Sequence, residues 1–153
     1  DAMDIGKRDT ILEIGPGLGV LTERLCKAAR HVIAVEKDRR LYGFLSANIR
    51  YDNLELINGD ILDYPVSRLR SFEHLKVVGN LPYYISSPII IYLIENRSSI
   101  DAMFISLQKE FAYRLTAGPG SREYGAISCF VQFYARLRIL FNIKKGVFYP
   151  VPK

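Results

Sequence analysis

Three glycines fall within five residues, Gly15, Gly17 and Gly19, directly after the β-branched run Thr10-Ile-Leu-Glu-Ile14 and directly before a stretch carrying Leu21 and Leu25 at helical spacing. A strand that must turn at once into a helix through residues lacking a Cβ specifies a strand–loop–helix unit, and a ligand can approach the backbone of such a loop closely. The same alternation runs through the chain. Strand-like runs over 10–14, 31–36, 54–58, 75–79 and 102–107 interleave with amphipathic stretches over 18–29, 38–50, 109–117 and 126–135. That order predicts an α/β fold with a mostly parallel, doubly wound sheet and helices on both faces. Leu18, Leu21 and Leu25 read as the core face of the first helix. Ser87 before Pro88 reads as a hydroxyl N-cap with proline at the first helical position, starting a helix through 89–95. Gly118-Pro119 stops the helix over 109–117 and opens an exposed loop over 118–125. Residues 137–143 alternate like a sixth strand, and the polar 64–74 stretch has no clear period.

At 153 residues and 49% hydrophobic, the chain has the makings of one soluble globular domain and is too short for a two-domain enzyme. No apolar run approaches the roughly 18 residues a membrane span needs. The start, Asp1-Ala-Met-Asp4, lacks a secretion signal's charge pattern, so a cytoplasmic or organelle-matrix location is expected, with no membrane partner. Cys26 and Cys129 read as small core residues in a reducing compartment rather than a disulfide or metal pair. His31 and His74 lack ligand spacing, and no metal is expected. Charge is uneven: residues 1–76 hold 12 basic and 12 acidic side chains, whereas 77–153 hold 9 and 4, the whole net charge of +5. With a pI near 9.2, an anionic partner such as nucleic acid or a merely solvated basic face accounts for that excess about equally well.

The loop narrows the ligand. A dinucleotide fingerprint would place its third glycine at position 20, where Val20 stands instead. Glu13, just ahead of the loop, would repel a pyrophosphate and attract a cation. Glu36 ends the second strand about 20 residues after the loop, where a carboxylate accepts from both ribose hydroxyls. Asp60, in Asn58-Gly59-Asp60 after the third strand, is placed to accept from an adenine amino group. Together these describe a positively charged adenosine ligand without phosphates, which S-adenosylmethionine is.

Asn80-Leu81-Pro82-Tyr83 follows the fourth strand, beside the point where strand order should reverse. An adenine amino group is a poor nucleophile because its lone pair is delocalised into the ring. Two acceptors aimed at its N–H bonds, the Asn80 side-chain oxygen and the Leu81 carbonyl ahead of Pro82, would draw the nitrogen toward tetrahedral geometry. Tyr83 offers a stacking surface, worth about 1–3 kcal/mol in single-strand sites. Phe148, in the extended Phe148-Tyr-Pro-Val-Pro-Lys153, would cover the second face of a flipped base or else plug the core under the last loop.

These residues resemble the ribosomal RNA adenine dimethyltransferase family, whose pattern Glu-x-Gly-x-Gly-x-Gly, strand-end acid, Gly-Asp, Asn-Leu-Pro-Tyr and Phe-x-Pro-x-Pro is matched by Glu13 to Gly19, Glu36, Gly59-Asp60, Asn80 to Tyr83 and Phe148 to Pro152. Gln108-Lys-Glu110, Arg114, Pro119-Gly-Ser121 and Tyr124-Gly125 resemble the branch that modifies small-subunit rRNA. The resemblance implies a Rossmann-like class I methyltransferase that uses S-adenosylmethionine to dimethylate N6 of two adjacent adenosines near the 3′ end of small-subunit rRNA. It implies a monomer acting on the immature small subunit, in the cytoplasm or, in a eukaryote, the mitochondrial matrix or nucleolus. The implied cofactor contacts are Glu13, Gly15, Gly17, Gly19, Glu36, Asp60, Ile61 and Asn80. The implied catalytic set is Asn80, Leu81, Pro82, Tyr83 and Phe148. Measured against the family pattern, 1–153 reads as the methyltransferase domain without the Gln-Asn-Phe-Leu arm, the last sheet strand and the helical domain that helps bind RNA. That missing strand would lie between the fifth and sixth, leaving 137–143 without a neighbour. The rivals are a large-subunit rRNA or DNA adenine methyltransferase, a non-catalytic nucleic-acid-binding relative such as an organellar transcription factor, and a nicotinamide oxidoreductase, against which Val20 and Asn80 to Tyr83 speak.

Overall fold

The computed structural model describes residues 3–143, and these fall into two compact units, 3–107 and 108–143. The first holds strands β1 (Thr10–Ile14), β2 (His31–Glu36), β3 (Leu54–Asn58), β4 (Leu75–Asn80) and β5 (Ala102–Ser106), with helices α1 (Val20–Ala28), α2 (Arg39–Asn48), α3 (Val66–Leu69) and α4 (Ser86–Glu95). The strands form one sheet in the order β3-β2-β1-β4-β5, every pair parallel. Order reverses between β1 and β4, whose last paired residues are Ile14 and Gly79. A parallel sheet is buried on both faces, which is why β1 reads as a continuous apolar run broken only by Thr10 and Glu13. Ile11, Leu12, Val32, Ile33, Leu75 and Val77 are wholly enclosed. On one face, Ile11, Val32 and Val78 pack with Leu25, Cys26 and Ala29.

Local chemistry explains where elements begin. Asp38 caps α2, its Oδ1 accepting from the backbone N–H groups of Arg40 (2.7 Å) and Leu41 (3.2 Å). Gly19 sits at the N-cap of α1 with φ +83°, so the helix starts two residues later than its apolar spacing suggests. Leu18 therefore stays in the loop, 63% exposed, and not on the core face with Leu25. Ser87 is not the cap of the fourth helix either. A 3-10 turn over Tyr83–Ile85 feeds directly into α4, and the Ser86 hydroxyl donates to the Pro82 carbonyl at 2.8 Å. In the 64–74 stretch the chain forms only the short α3 and irregular turns.

The second unit contains α5 (Lys109–Thr116) and α6 (Ala126–Tyr134). Helix α6 satisfies the open end of α5: Gln132 Nε2 donates to the carbonyls of Leu115 and Ala117, both at 2.8 Å, and Ser128 Oγ donates to the Arg114 carbonyl at 2.6 Å. Cys26 is buried as expected, but Cys129 is exposed, because α6 turns Ser128 and Val131 inward. Residues 137–143 form no strand. Alternating side chains suit a pleat, yet a strand exists only through ladder hydrogen bonds to a neighbour, and this stretch has none among the described residues.

Candidate active site

Parallel strands all end on one side of the sheet, so the loops after β1, β2, β3 and β4 gather along a single edge. After β1, Gly15 (φ +68°), Gly17 (φ +61°) and Gly19 (φ +83°) take left-handed conformations that other residues rarely adopt. The loop is pinned at its start by the Gly15 N–H donating to the Val35 carbonyl at 3.0 Å. A Cβ at Gly15 would stand 4.0 Å from the Asn80 carbonyl, so the glycine loop and the Asn80 corner face each other across the switch point.

Glu36, 6% exposed, is aimed by the backbone on both sides. Its Oε2 accepts from the Gly17 N–H at 3.1 Å and its Oε1 from the Asp38 N–H at 2.9 Å. Each oxygen keeps a further lone-pair direction for a ligand hydroxyl. The end of β3 is tied to the same residue, since the Asn58 side chain and the Gly59 N–H both donate to the Glu36 carbonyl, at 2.8 and 3.0 Å. Asp60 then opens a 3-10 turn over Ile61–Asp63, its Oδ1 accepting from the Leu62 N–H at 3.0 Å. Ile61 beside it is buried.

Register places Glu13 beside Ala34 and Val78 on the sheet face that α1 covers. It is 2% exposed, and among the described residues neither its Oε2 nor the Thr22 hydroxyl finds a hydrogen-bond partner. Burial pushes this carboxyl up to about 7, and the Glu36 charge adds to the rise. An enclosed acceptor of this kind under a glycine loop favours a cation above it.

At the tip of β4, Asn80 is exposed, and no hydrogen bond among the described residues engages its amide. Leu81 is buried, with its N–H donating to the Ser106 carbonyl of β5 at 3.1 Å, and Pro82 has φ −61° and ψ 141°. Tyr83 opens the following 3-10 turn, and Phe148 lies outside the described residues. The glycine loop, Glu36, Asp60 and Asn80 thus lie along one edge at four strand ends, with Glu13 beneath them. One residue escaped the sequence reading: Lys37, whose Nζ lies 2.6 Å from Asp60 Oδ2. That hydrogen bond raises the affinity of Lys37 for its proton and holds Asp60 below the usual carboxylate range. The signal was there in part, as a lysine directly after the strand-ending acid.

The donor set fits S-adenosylmethionine. Glu36 suits a ribose diol, Asp60 an amino donor, the glycine backbone a close approach, and the unpartnered Glu13 oxygen a cationic centre. Among the described residues no group of His, Cys, Asp and Glu could hold a metal ion.

A family model described as ribosomal RNA adenine dimethylase matches residues 1–153. The chain belongs to that family. Within the family, it is 41% identical over 158 residues to "Ribosomal RNA small subunit methyltransferase A" of Alkaliphilus metalliredigens, covering 100% of this chain and 55% of that one. It is 44% identical over 155 residues to the protein of the same name from Lachnoclostridium phytofermentans, covering 97% and 53%. It spans about half the length of these curated relatives. Among solved structures it resembles a dimethyladenosine transferase from Plasmodium falciparum, with a TM-score of 0.85 and 32% identity over 97% of this chain and 54% of that one. It also resembles the 23S rRNA methyltransferase ErmE, with a TM-score of 0.79 and 28% identity over 99% and 60%. The fold is therefore that of the Rossmann-like class I methyltransferases, and the family's cofactor is S-adenosylmethionine.

Proposed function

We propose that this chain is the methyltransferase domain of an enzyme that dimethylates N6 of two adjacent adenosines near the 3′ end of small-subunit rRNA, acting on the immature subunit as a cytoplasmic monomer. The observation that carries this reading is the apposition of the glycine loop after β1 and the Asn80 corner after β4, 4.0 Å apart as measured from a Cβ at Gly15 to the Asn80 carbonyl. Bound there, S-adenosylmethionine supplies an electrophilic methyl group for in-line displacement. Glu36 would orient its ribose, Asp60 would receive its adenine amino group, and the Glu13 carboxyl would serve its cationic end.

The target adenine is the task of the opposite wall. The Asn80 amide oxygen and the Leu81 carbonyl accept from its N–H bonds and localise the nitrogen lone pair, while Pro82 restricts the backbone that carries them. Tyr83 and Phe148 stack on the base. Positioning then supplies much of the rate. The similarity to relatives named for the small subunit favours that rRNA over the large-subunit rRNA named for ErmE.

Mass spectrometry of rRNA from immature small subunits, after incubation with the protein and a methyl-labelled donor, tests the proposal. Two adjacent N6,N6-dimethyladenosines near the 3′ end are expected. Label confined to large-subunit rRNA or DNA would overturn the substrate assignment, and no transfer to any adenine would favour a binding role.

A further inference from the structure

The acceptor assigned to the adenine amino group is already engaged by the protein itself. Asp60 Oδ1 is turned into its own loop, toward the Leu62 N–H, which leaves Oδ2 as the outward oxygen, and there the Lys37 ammonium sits at 2.6 Å. An ammonium at that distance fills the approach that an adenine amino group would use, because both are donors and neither can accept from the other. Lys37 is also free to leave: its side chain is 63% exposed, whereas that of Asp60 is 18% exposed. Asp63 lies near enough to favour the ammonium's charge, so a displaced Lys37 keeps an acidic neighbour beside it.

We infer that Lys37 competes with the cofactor's adenine for Asp60, closing the adenine pocket when the site is empty and swinging toward Asp63 and water when the cofactor seats. This rests on the reading of Asp60 as the adenine acceptor. The ion pair is largely exposed, and exposed pairs are weak and screened by salt, so the competition is a tuning device and not a block. Removing it should tighten cofactor binding about two- to fivefold at low ionic strength.

Calorimetric titration of S-adenosylhomocysteine into the parent protein, Lys37→Met and Asp60→Ala, at low and high salt, tests the inference. Methionine keeps the apolar stem without the charge, and thermal unfolding checks that each variant is folded. Lys37→Met is expected to bind more tightly than the parent at low salt, with the gap closing at about 1 M salt, where the Debye length is about 3 Å. Binding equal to or weaker than the parent's at low salt would overturn the competition. Asp60→Ala should bind more weakly than the parent. Weakened Asp60→Ala beside unchanged Lys37→Met would leave the adenine reading standing and remove only the competitor, whereas unchanged Asp60→Ala would remove both.

Discussion

Asn80 and Glu36 differ in how the fold holds them, and the difference assigns them separable effects. The Asn80 amide at the tip of β4 has no hydrogen bond among the described residues, so its loss should leave the cofactor pocket standing. Asn80→Ala is expected to lower methyl transfer about 10²- to 10³-fold with cofactor affinity nearly unchanged, as removal of one oriented polar group at a reacting centre typically does. Glu36→Ala should instead weaken the cofactor at least about tenfold, through two lost hydrogen bonds to a charged acceptor. Titration calorimetry beside single-turnover kinetics separates the two, and the roles are wrong if the effects are exchanged. Glu13 adds a pH signature. Its pKa is raised in the folded chain from 4.5 to about 7, so its contribution to stability is full below pH 4.5 and is lost as pH rises through 7. Glu13→Gln, neutral at every pH, should gain on the parent as pH increases, by on the order of 3 kcal/mol at pH 8, read from urea unfolding of the cofactor-free protein. A gap that does not widen with pH would show that Glu13 titrates alike in the folded and unfolded chain. Strand-end acids were legible in the sequence because the β-branched run before each fixes where the strand stops. The partners of those acids were not, because the Gly17 N–H on Glu36 and the Lys37 ammonium on Asp60 are set by the meeting of separate loops.

The glycine loop shows at the scale of elements why one turn is more demanding than its neighbour. Gly19 combines φ +83° with a Cβ position 2.7 Å from Leu45 Cδ2 and closer still to the Ile49 side chain, so the loop seats against α2 only without a side chain there. Gly17, at φ +61°, has nothing within 4 Å of its Cβ position among the described residues. Gly19→Ala is therefore expected to cost about 2–5 kcal/mol, left-handed strain plus overpacking, and Gly17→Ala about 1–2 kcal/mol from strain alone. Denaturation midpoints for the pair check this, and equal losses would mean that the contact with α2 does not matter. The five strands were readable to within a residue because each apolar run is bounded by glycine, asparagine or charge. The helix starts were less so. A left-handed Gly19 and a 3-10 turn at Tyr83–Ile85 each shift a helix without altering its apolar spacing, which is how Leu18 and Ser87 were misassigned. For 137–143 the alternation was real, but pairing is a property of two segments and cannot be read from one.

Over the whole molecule, two thiols report on different depths. Cys26 is enclosed between α1 and the sheet, and burial together with the nearby Glu13 charge pushes its thiol up to about 11; Cys129 is exposed on α6. A disulfide reagent should therefore modify one thiol quickly in the native protein and the second only at the rate of unfolding, with stoichiometry doubling in denaturant. Two fast thiols would place Cys26 outside the core. The parallel sheet has a practical corollary as well. Because every strand runs the same way, the amino-terminal ends lie together on the side opposite the chemistry, where Arg30 and Asp52 are exposed. A fluorophore or surface tether attached through either position would sit a full strand length from the reacting groups, so substrate capture and turnover could be watched from the rear of the sheet without disturbing them.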